Sequence, residues 1–571
     1  MFTAGLLVGI ALSSAAFCAD SASVRLPGNP PAAEDLAAAG ATNALAPTRN
    51  LSMRVVMALR NQAELTQLLT DLQDPSSPDY HHWLTPGEFT ARFGPTPEDL
   101  AQVAAWLTQE GFTVTSASAS DRMVRFTGSA GQASSAFQTS FAATPDGHYF
   151  ASVARPAVPS NLADRIQAIQ GLDTLHGFGV SPQPEVKVSA SKHAFGPPDM
   201  YAFYDETPLL NNSIDGTGSD CIALPEYSDF DDESVAVFDT FFSLPELIDG
   251  TSLVRVPVDV PASINSAEFE TLLDIEYSHT AAPQTPIRVY IDSDVDASTG
   301  FTDALQQAVN DNACGSISLS IFVCFADSSD AATLATTADS IYAEALTNGQ
   351  TVFAAAGDDG SAGTVFNPVK GVCVAGKKPG GVIETAASQH ITSVGGTQVT
   401  PKYNKSTGIA IAGSAAETVW HEAVGATGGG ASAVFSKPGY QDGDTPADGA
   451  RDVPDISLLA AVKTPGYIVG VNGKVACCGG GTSFASPYWA GIAALMEQLN
   501  GGGLGGRLGA LNTNLYSLAS SDAAANGIRD VTKGNNRFKG VKGFTAKPGY
   551  DQATGWGTPD INTFAHAYTG K

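Results

Sequence analysis

The chain has 571 residues, too many for one ordinary domain, and its 43% hydrophobic content is ample for a large core. With 58 acidic against 30 basic residues the formal charge is −28, which argues against nucleic acid or an anionic membrane as partner. The same acidity suits a protein working in acid, where many carboxylates are neutral, although many secreted proteins that work at neutral pH are acidic too.

Leu6 to Phe17 form a short apolar run followed by Cys18, Ala19 and Asp20. This is the pattern of an export signal, too short to span a bilayer, so residues 1–19 are expected to direct secretion into the extracellular medium. No later apolar run is long enough for a membrane anchor. Beyond Cys18 there are Cys221, Cys314, Cys324, Cys373, Cys477 and Cys478. An exported chain can pair them in many ways, with Cys314–Cys324 the most local choice. Cys477-Cys478 lacks a matching His/Cys cluster for zinc.

From Asp20 the chain is rich in Ala and Pro, and then a compact α+β pattern follows. Leu51 to Leu59 reads as a strand and Gln62 to Leu72 as a helix. Thr85-Pro-Gly-Glu88 and Thr96-Pro-Glu-Asp99 read as helix starts with proline in the first turn. Strands near 113–116 and 123–126 and a helix near 130–137 complete a unit assigned to residues 20–177. Residues 178–192 are Pro, Ser, Val and Lys with little periodicity, a linker with a maturation site near Ser189 to His193. A second domain, residues 193–571, alternates apolar strands with helical stretches. That alternation predicts an α/β fold, a parallel sheet with helices on both faces. Functional residues of such sheets gather at the carboxyl ends of the strands.

Three stretches of this domain carry chemistry. Gly479-Gly-Gly-Thr-Ser-Phe-Ala-Ser-Pro487 is a glycine turn entering an apolar helix. Ser483 stands where free backbone N–H groups at the helix start can receive negative charge. The isolated histidines His193, His279, His390, His421 and His566 offer no evident base for it. Glu270 and Asp274, four residues apart, would lie about 40° apart on a helix among Leu272, Leu273 and Ile275. Buried together, they would share a proton. Val352-Phe-Ala-Ala-Ala-Gly-Asp-Asp-Gly360 runs a buried strand into a turn, with Asp358 at its carboxyl end.

Glu-x-x-Leu-Asp, Gly-Asp-x-Gly and Gly-Thr-Ser-x-x-x-Pro in this order resemble the sedolisins, the kumamolisin-like serine-carboxyl peptidases. Asp-Pro-x-Ser-Pro-x-Tyr-His, Phe93-Gly-Pro95 and Trp106-Leu107 resemble their pro-kumamolisin-type activation domain. The resemblance implies a subtilisin-like parallel sheet preceded by an α+β prodomain. It implies a peptidase acting through an acyl-enzyme on Ser483. Glu270 is then the general base, Asp274 its orienter and Asp358 the oxyanion donor. It also implies acid action on protein or peptide substrates, and a zymogen whose prodomain serves as intramolecular inhibitor and folding aid. One calcium ion is implied near the C-terminus, on the side chains of Asp530 and Asp551 and the carbonyls of Val531, Lys547 and Gly549. Hard oxygen ligands on flexible turns are what calcium requires. The chain departs from the family at Ser318-Leu-Ser320-Ile-Phe-Val-Cys324, where Ser-x-Ser-aromatic-Gly is usual, so subsite specificity does not carry over. Two rival readings are a histidine-dependent subtilase using His279 and a non-catalytic binding protein on the same fold.

Overall fold

The computed structural model of the chain describes residues 22–27, 36–37, 40–179, 194–293, 300–325, 328–367, 370, 372–377 and 381–571. The signal at 1–19, the maturation segment at 189–193 and the linker beyond Gly179 lie outside the described residues.

The N-terminal unit is built on an antiparallel sheet of β1 (Asn50–Met57), β2 (Thr113–Ser118), β3 (Met123–Ser129) and β4 (Ile166–Gln170), in the order β2-β3-β1-β4. Two helices, α1 (Pro86–Phe93) and α2 (Pro97–Gln109), begin in reciprocal caps. Thr85 and Thr96 accept the N–H of Glu88 and Asp99, whose carboxylates accept the threonine N–H groups in return. The unit buries Trp106, Phe112, Phe126 and Phe137 as one aromatic group.

The second unit is organised on an eight-stranded sheet. Its strands are β5 (Cys221–Glu226), β6 (Leu253–Pro257), β7 (Ile287–Ile291), β8 (Cys314–Leu319), β9 (Thr351–Ala355), β10 (Thr392–Gln398) and β11 (Ile456–Leu459), with a short antiparallel strand Thr418–Val419. The parallel order is β6-β7-β5-β8-β9-β10, and β11 and the short strand both pair with β10. Successive side chains feed two cores, as a pleated strand requires. Ile222 and Leu224 join one core with Leu272 of α3 (Glu268–Ala281) and Ile492 of α6 (Thr482–Leu499). Ala223 joins the other with Leu305 of α4 (Gly300–Asp311) and Ile341 of α5 (Ser328–Thr347). Helices thus cover both faces, which is why these strands read as apolar runs and not as alternating ones.

α3 and α6 are buried all round and pack against each other at close range. A Cβ on Gly491 would meet that of Ala281 at 2.5 Å, so only glycine permits the approach. The N-terminal unit rests on α4 and α5. Gln167 donates to Thr336 O at 2.8 Å, and the Leu84 N–H donates to Thr347 O at 2.8 Å.

The most local cysteine pairing is not formed. Cys221 pairs with Cys314, and Cys324 with Cys373. Cys221 and Cys314 stand opposite each other on neighbouring strands, whereas β8 carries the chain away from Cys314 before Cys324 is reached. Cys477 pairs with its neighbour Cys478.

Candidate active site

α6 begins at once after the glycine turn. Gly481 has φ of +136°, and a Cβ on Gly480 would stand 2.5 Å from the Ala461 carbonyl oxygen. A side chain at either position would push the first turn of α6 out of place. Thr482 fixes that turn from the other side. Its N–H and Oγ1–H both donate to Asp358 Oδ1, at 2.8 and 2.9 Å, and its Oγ1 accepts the Gly357 N–H at 3.1 Å. Asp358 lies just past the carboxyl end of β9, so the strand delivers it to the residue before Ser483. The adjacent Asp359 turns elsewhere and accepts the Thr364 hydroxyl at 2.7 Å.

Glu270 and Asp274 lie one turn apart on α3, both fully buried. The aromatic neighbours of Glu270 and Ser483, Phe269 and Phe484, have ring centroids 6.5 Å apart, and Tyr467 stacks on Phe484 at 4.5 Å. Ser320 joins the two helices. Its hydroxyl lies 2.6 Å from Asp274 Oδ1, to which it donates, and 3.2 Å from the Ser483 carbonyl oxygen. The other acids of α3 serve the scaffold: Glu268 accepts the Asp231 N–H and Glu276 the Gly470 N–H. His279 is buried further along α3, its Nε2 2.8 Å from the Pro245 carbonyl oxygen and 3.6 Å from Asp239. Burial pushes its pKa down to about 4.

One acid of this group has no counterpart in the sequence reading. Glu226, the last residue of β5, hydrogen-bonds Asp274 and feels the charge of Glu270. Burial pushes Glu226 up to about 8 and raises Asp274 well above the carboxylate range, with the neighbouring acids adding to the shift of Asp274. Asp358 is raised to about 6, chiefly by burial, against the opposing bonds from Thr482. Glu226, Asp274 and Asp358 therefore hold their protons more tightly than free acids do. A charged residue ending an apolar strand at the carboxyl edge of the sheet was the available sign of Glu226.

Residues 38–175 match the family model described as the pro-kumamolisin activation domain. The chain is similar to sedolisin of Pseudomonas sp. (strain 101), 29% identical over 89% of this chain and 85% of that one. It is equally similar to kumamolisin of Bacillus sp. (strain MN-32), 29% identical over 90% of each. Xanthomonalisin of Xanthomonas sp. (strain T-22) is 28% identical over 92% of this chain and 67% of its own. Among solved structures, Pseudomonas sedolisin complexed with two molecules of pseudo-iodotyrostatin superposes with a TM-score of 0.55 at 27% identity, covering 66% of this chain and 100% of that one. The chain is similar to the sedolisins over most of its length. It is a serine-type peptidase with an N-terminal activation domain.

The resemblance implies calcium, and the C-terminal loops fit it. Asp530 Oδ2 accepts the Gly549 N–H at 2.8 Å and Asp551 Oδ2 the Lys547 N–H at 3.1 Å, so both carboxylates converge on one loop. Among the described residues, the carbonyls of Val531, Lys547 and Gly549 accept no hydrogen bond. Burial raises the pKa of both aspartates against the opposing bonds from the backbone N–H groups. Two carboxylates and three open carbonyls are the hard donor set that calcium takes.

Proposed function

We propose that this peptidase is secreted and acts in acid, by nucleophilic attack of Ser483 with Glu270 as base. Asp358 Oδ1 is occupied by Thr482, which leaves Oδ2 to carry a proton toward the substrate. Ser483 Oγ attacks the scissile carbonyl carbon and its proton passes to the Glu270 carboxylate. Asp274, bonded to Ser320 and Glu226, holds Glu270 in place. The oxyanion accepts a hydrogen bond from the neutral Asp358 and from the Ser483 N–H at the start of α6. Collapse breaks the peptide bond, and Glu270 returns its proton to the leaving amine. Water then repeats the sequence on the acyl-enzyme.

The observation that carries acid action is the set of buried acids with raised pKa. Besides the site itself, Asp239 and Glu344 rise to about 7 and Glu497 to about 8, each chiefly by burial. A carboxyl whose folded pKa lies above its unfolded value favours the fold below the unfolded pKa. That contribution is lost as pH rises through the folded pKa. The window here runs from about 4 to about 8. The melting temperature is therefore expected to fall steadily between pH 5 and pH 8. A melting temperature that rises over that interval overturns the assignment of these acids.

Among the described residues no helix is long and apolar enough to cross a membrane. Secretion rests on the N-terminal run at residues 6–17. We assign the N-terminal unit as inhibitor because its last strand, His176–Gly179, pairs antiparallel with Phe322–Phe325. That edge follows directly on Ser320, beside Asp274 and Ser483, where a substrate strand would add in the same way. The deciding experiment incubates the purified full chain with a peptide library from about pH 3 to about pH 8 and sequences the products. Cuts confined to acid support the reading, and cleavage maximal above neutrality overturns it.

Asp530, Asp551 and the carbonyls of Val531, Lys547 and Gly549 would hold one calcium ion, whose role is to neutralise the two carboxylates and brace the loops. An ion bound only by the folded state adds about 2.7 kcal/mol at a hundredfold excess over its Kd. Calcium should raise the melting temperature, chelator should lower it, and Asp551→Ala should abolish both responses. Indifference of the wild type to calcium and chelator would remove the ion from the account.

A further inference from the structure

We propose that Asp259, Asp292 and Asp303 form a subsite for a basic side chain of the substrate, on the N-terminal side of the cleaved bond. The inference rests on the peptidase reading above. Carboxylate oxygens of the three residues lie within 4.8 Å of one another. In the full chain this group holds two guanidinium groups of the N-terminal unit. Arg54 Nη1 pairs with Asp303, its Nη2 donates to Thr302 Oγ1 at 2.6 Å and its Nε to Gln170 Oε1 at 2.7 Å. Arg125 Nη2 lies 2.9 Å from Asp259 and 3.1 Å from Asp303.

Arg54 and Arg125 stand directly opposite each other on β1 and β3. Like charges in that register repel, and Arg54 is buried, with 4% exposure. The pair is tolerated because the peptidase unit presents a seat matched to guanidinium: carboxylates with a hydroxyl beside them.

The position of the seat points to substrate. Asp259 and Asp292 follow the carboxyl ends of β6 and β7, and Asp303 lies in the first turn of α4. The Asp292 N–H donates to the Glu226 carbonyl oxygen at 2.9 Å, and the Glu226 side chain hydrogen-bonds Asp274 in the active site. The three aspartates are the peptidase unit's side of a cavity of about 480 Å³ whose other walls, Asp173, Thr174 and His176 among them, belong to the N-terminal unit. His176 is also the first residue of the strand laid on Phe322–Phe325. A substrate strand on that edge, running in the same sense, carries its N-terminal residues past the three aspartates. Departure of the N-terminal unit takes both arginines from Asp303 and one from Asp259. The carboxylates left facing one another favour a cation in their place.

The test uses the full chain matured in acid and two peptide series, one with a free and one with an acetylated N-terminus. A single arginine is moved along the positions before the cleaved bond and compared each time with citrulline, its neutral isostere. One position should favour arginine by roughly 10- to 100-fold in kcat/KM, the range of a hydrogen bond to a charged group. Asp303→Asn should reduce that preference to roughly twofold while citrulline peptides are cut as by the wild type. Asp303 also docks Arg54, so Asp259→Asn, on the exposed rim, provides a second variant and should show a partial loss. Equal cleavage of arginine and citrulline peptides at every position overturns the subsite. So does a preference undiminished in both variants, or one set by the free α-amine alone. In each of those cases peptides are still cut, so the peptidase reading stands; no cleavage of any peptide would overturn that reading instead.

Discussion

Ser483→Ala should leave the chain at full length in acid, under conditions where the wild type is expected to release its N-terminal unit near residues 189–193. Removing the nucleophile of a concerted site costs on the order of 10⁴- to 10⁶-fold in kcat, so no self-cleavage should be seen on the wild-type timescale. A trace of matured wild type added in trans should still process the variant, which separates loss of chemistry from loss of folding. Glu270→Gln is the sharper substitution, since it keeps the volume and a hydrogen-bonding group while removing the base. A general base contributes roughly 10²- to 10⁴-fold, and the loss should appear in kcat with KM little changed. Glu268→Gln is the control on the same helix. Its carboxylate accepts a backbone N–H from Asp231, so its rate should stay within a few-fold of wild type. The nucleophile assignment fails if Ser483→Ala matures unaided. The base assignment fails if Glu270→Gln keeps most of the wild-type kcat.

The second large effect is on the pH profile. Asp358 must be neutral to donate to the developing oxyanion, and its pKa of about 6 keeps it so only below that pH. Above it the ionised carboxylate faces the negative charge it should stabilise, and kcat should fall about tenfold per pH unit. At low pH protonation of Glu270 removes the base, which makes the profile bell-shaped. Asp358→Asn cannot titrate. Its amide can accept from Thr482 and still donate to the oxyanion, though less strongly than a carboxyl O–H. The variant should lose roughly 10- to 10³-fold at the optimum and lose the fall toward neutrality with it. An alkaline limb unchanged in Asp358→Asn would assign that limb to another group. A wild-type rate rising through neutrality would point to a histidine, contrary to the burial and backbone contact of His279.

Features that depend on neighbours along the chain were legible in the sequence. The caps at Thr85 and Thr96, the glycine turn before Ser483 and the one-turn spacing of Glu270 and Asp274 are local patterns with local causes. So is the delivery of Asp358 by an apolar strand. The apolar runs were enough to call for a parallel sheet covered on both faces. What only the tertiary structure decided are contacts between segments far apart in the chain. Glu226 meets Asp274 because β5 ends over α3. Ser320 reaches both Asp274 and the Ser483 carbonyl because the end of β8 delivers it to the place where α3 and α6 meet. Cys314 pairs with Cys221 and not with Cys324 because strand neighbours in a parallel sheet are distant in sequence. The seating of Arg54 and Arg125 on Asp303 joins segments some two hundred residues apart in the chain. The raised proton affinity of the buried acids follows the same rule. Burial is a property of the packed chain, and the cost of charging a carboxyl is set by everything that excludes water from it.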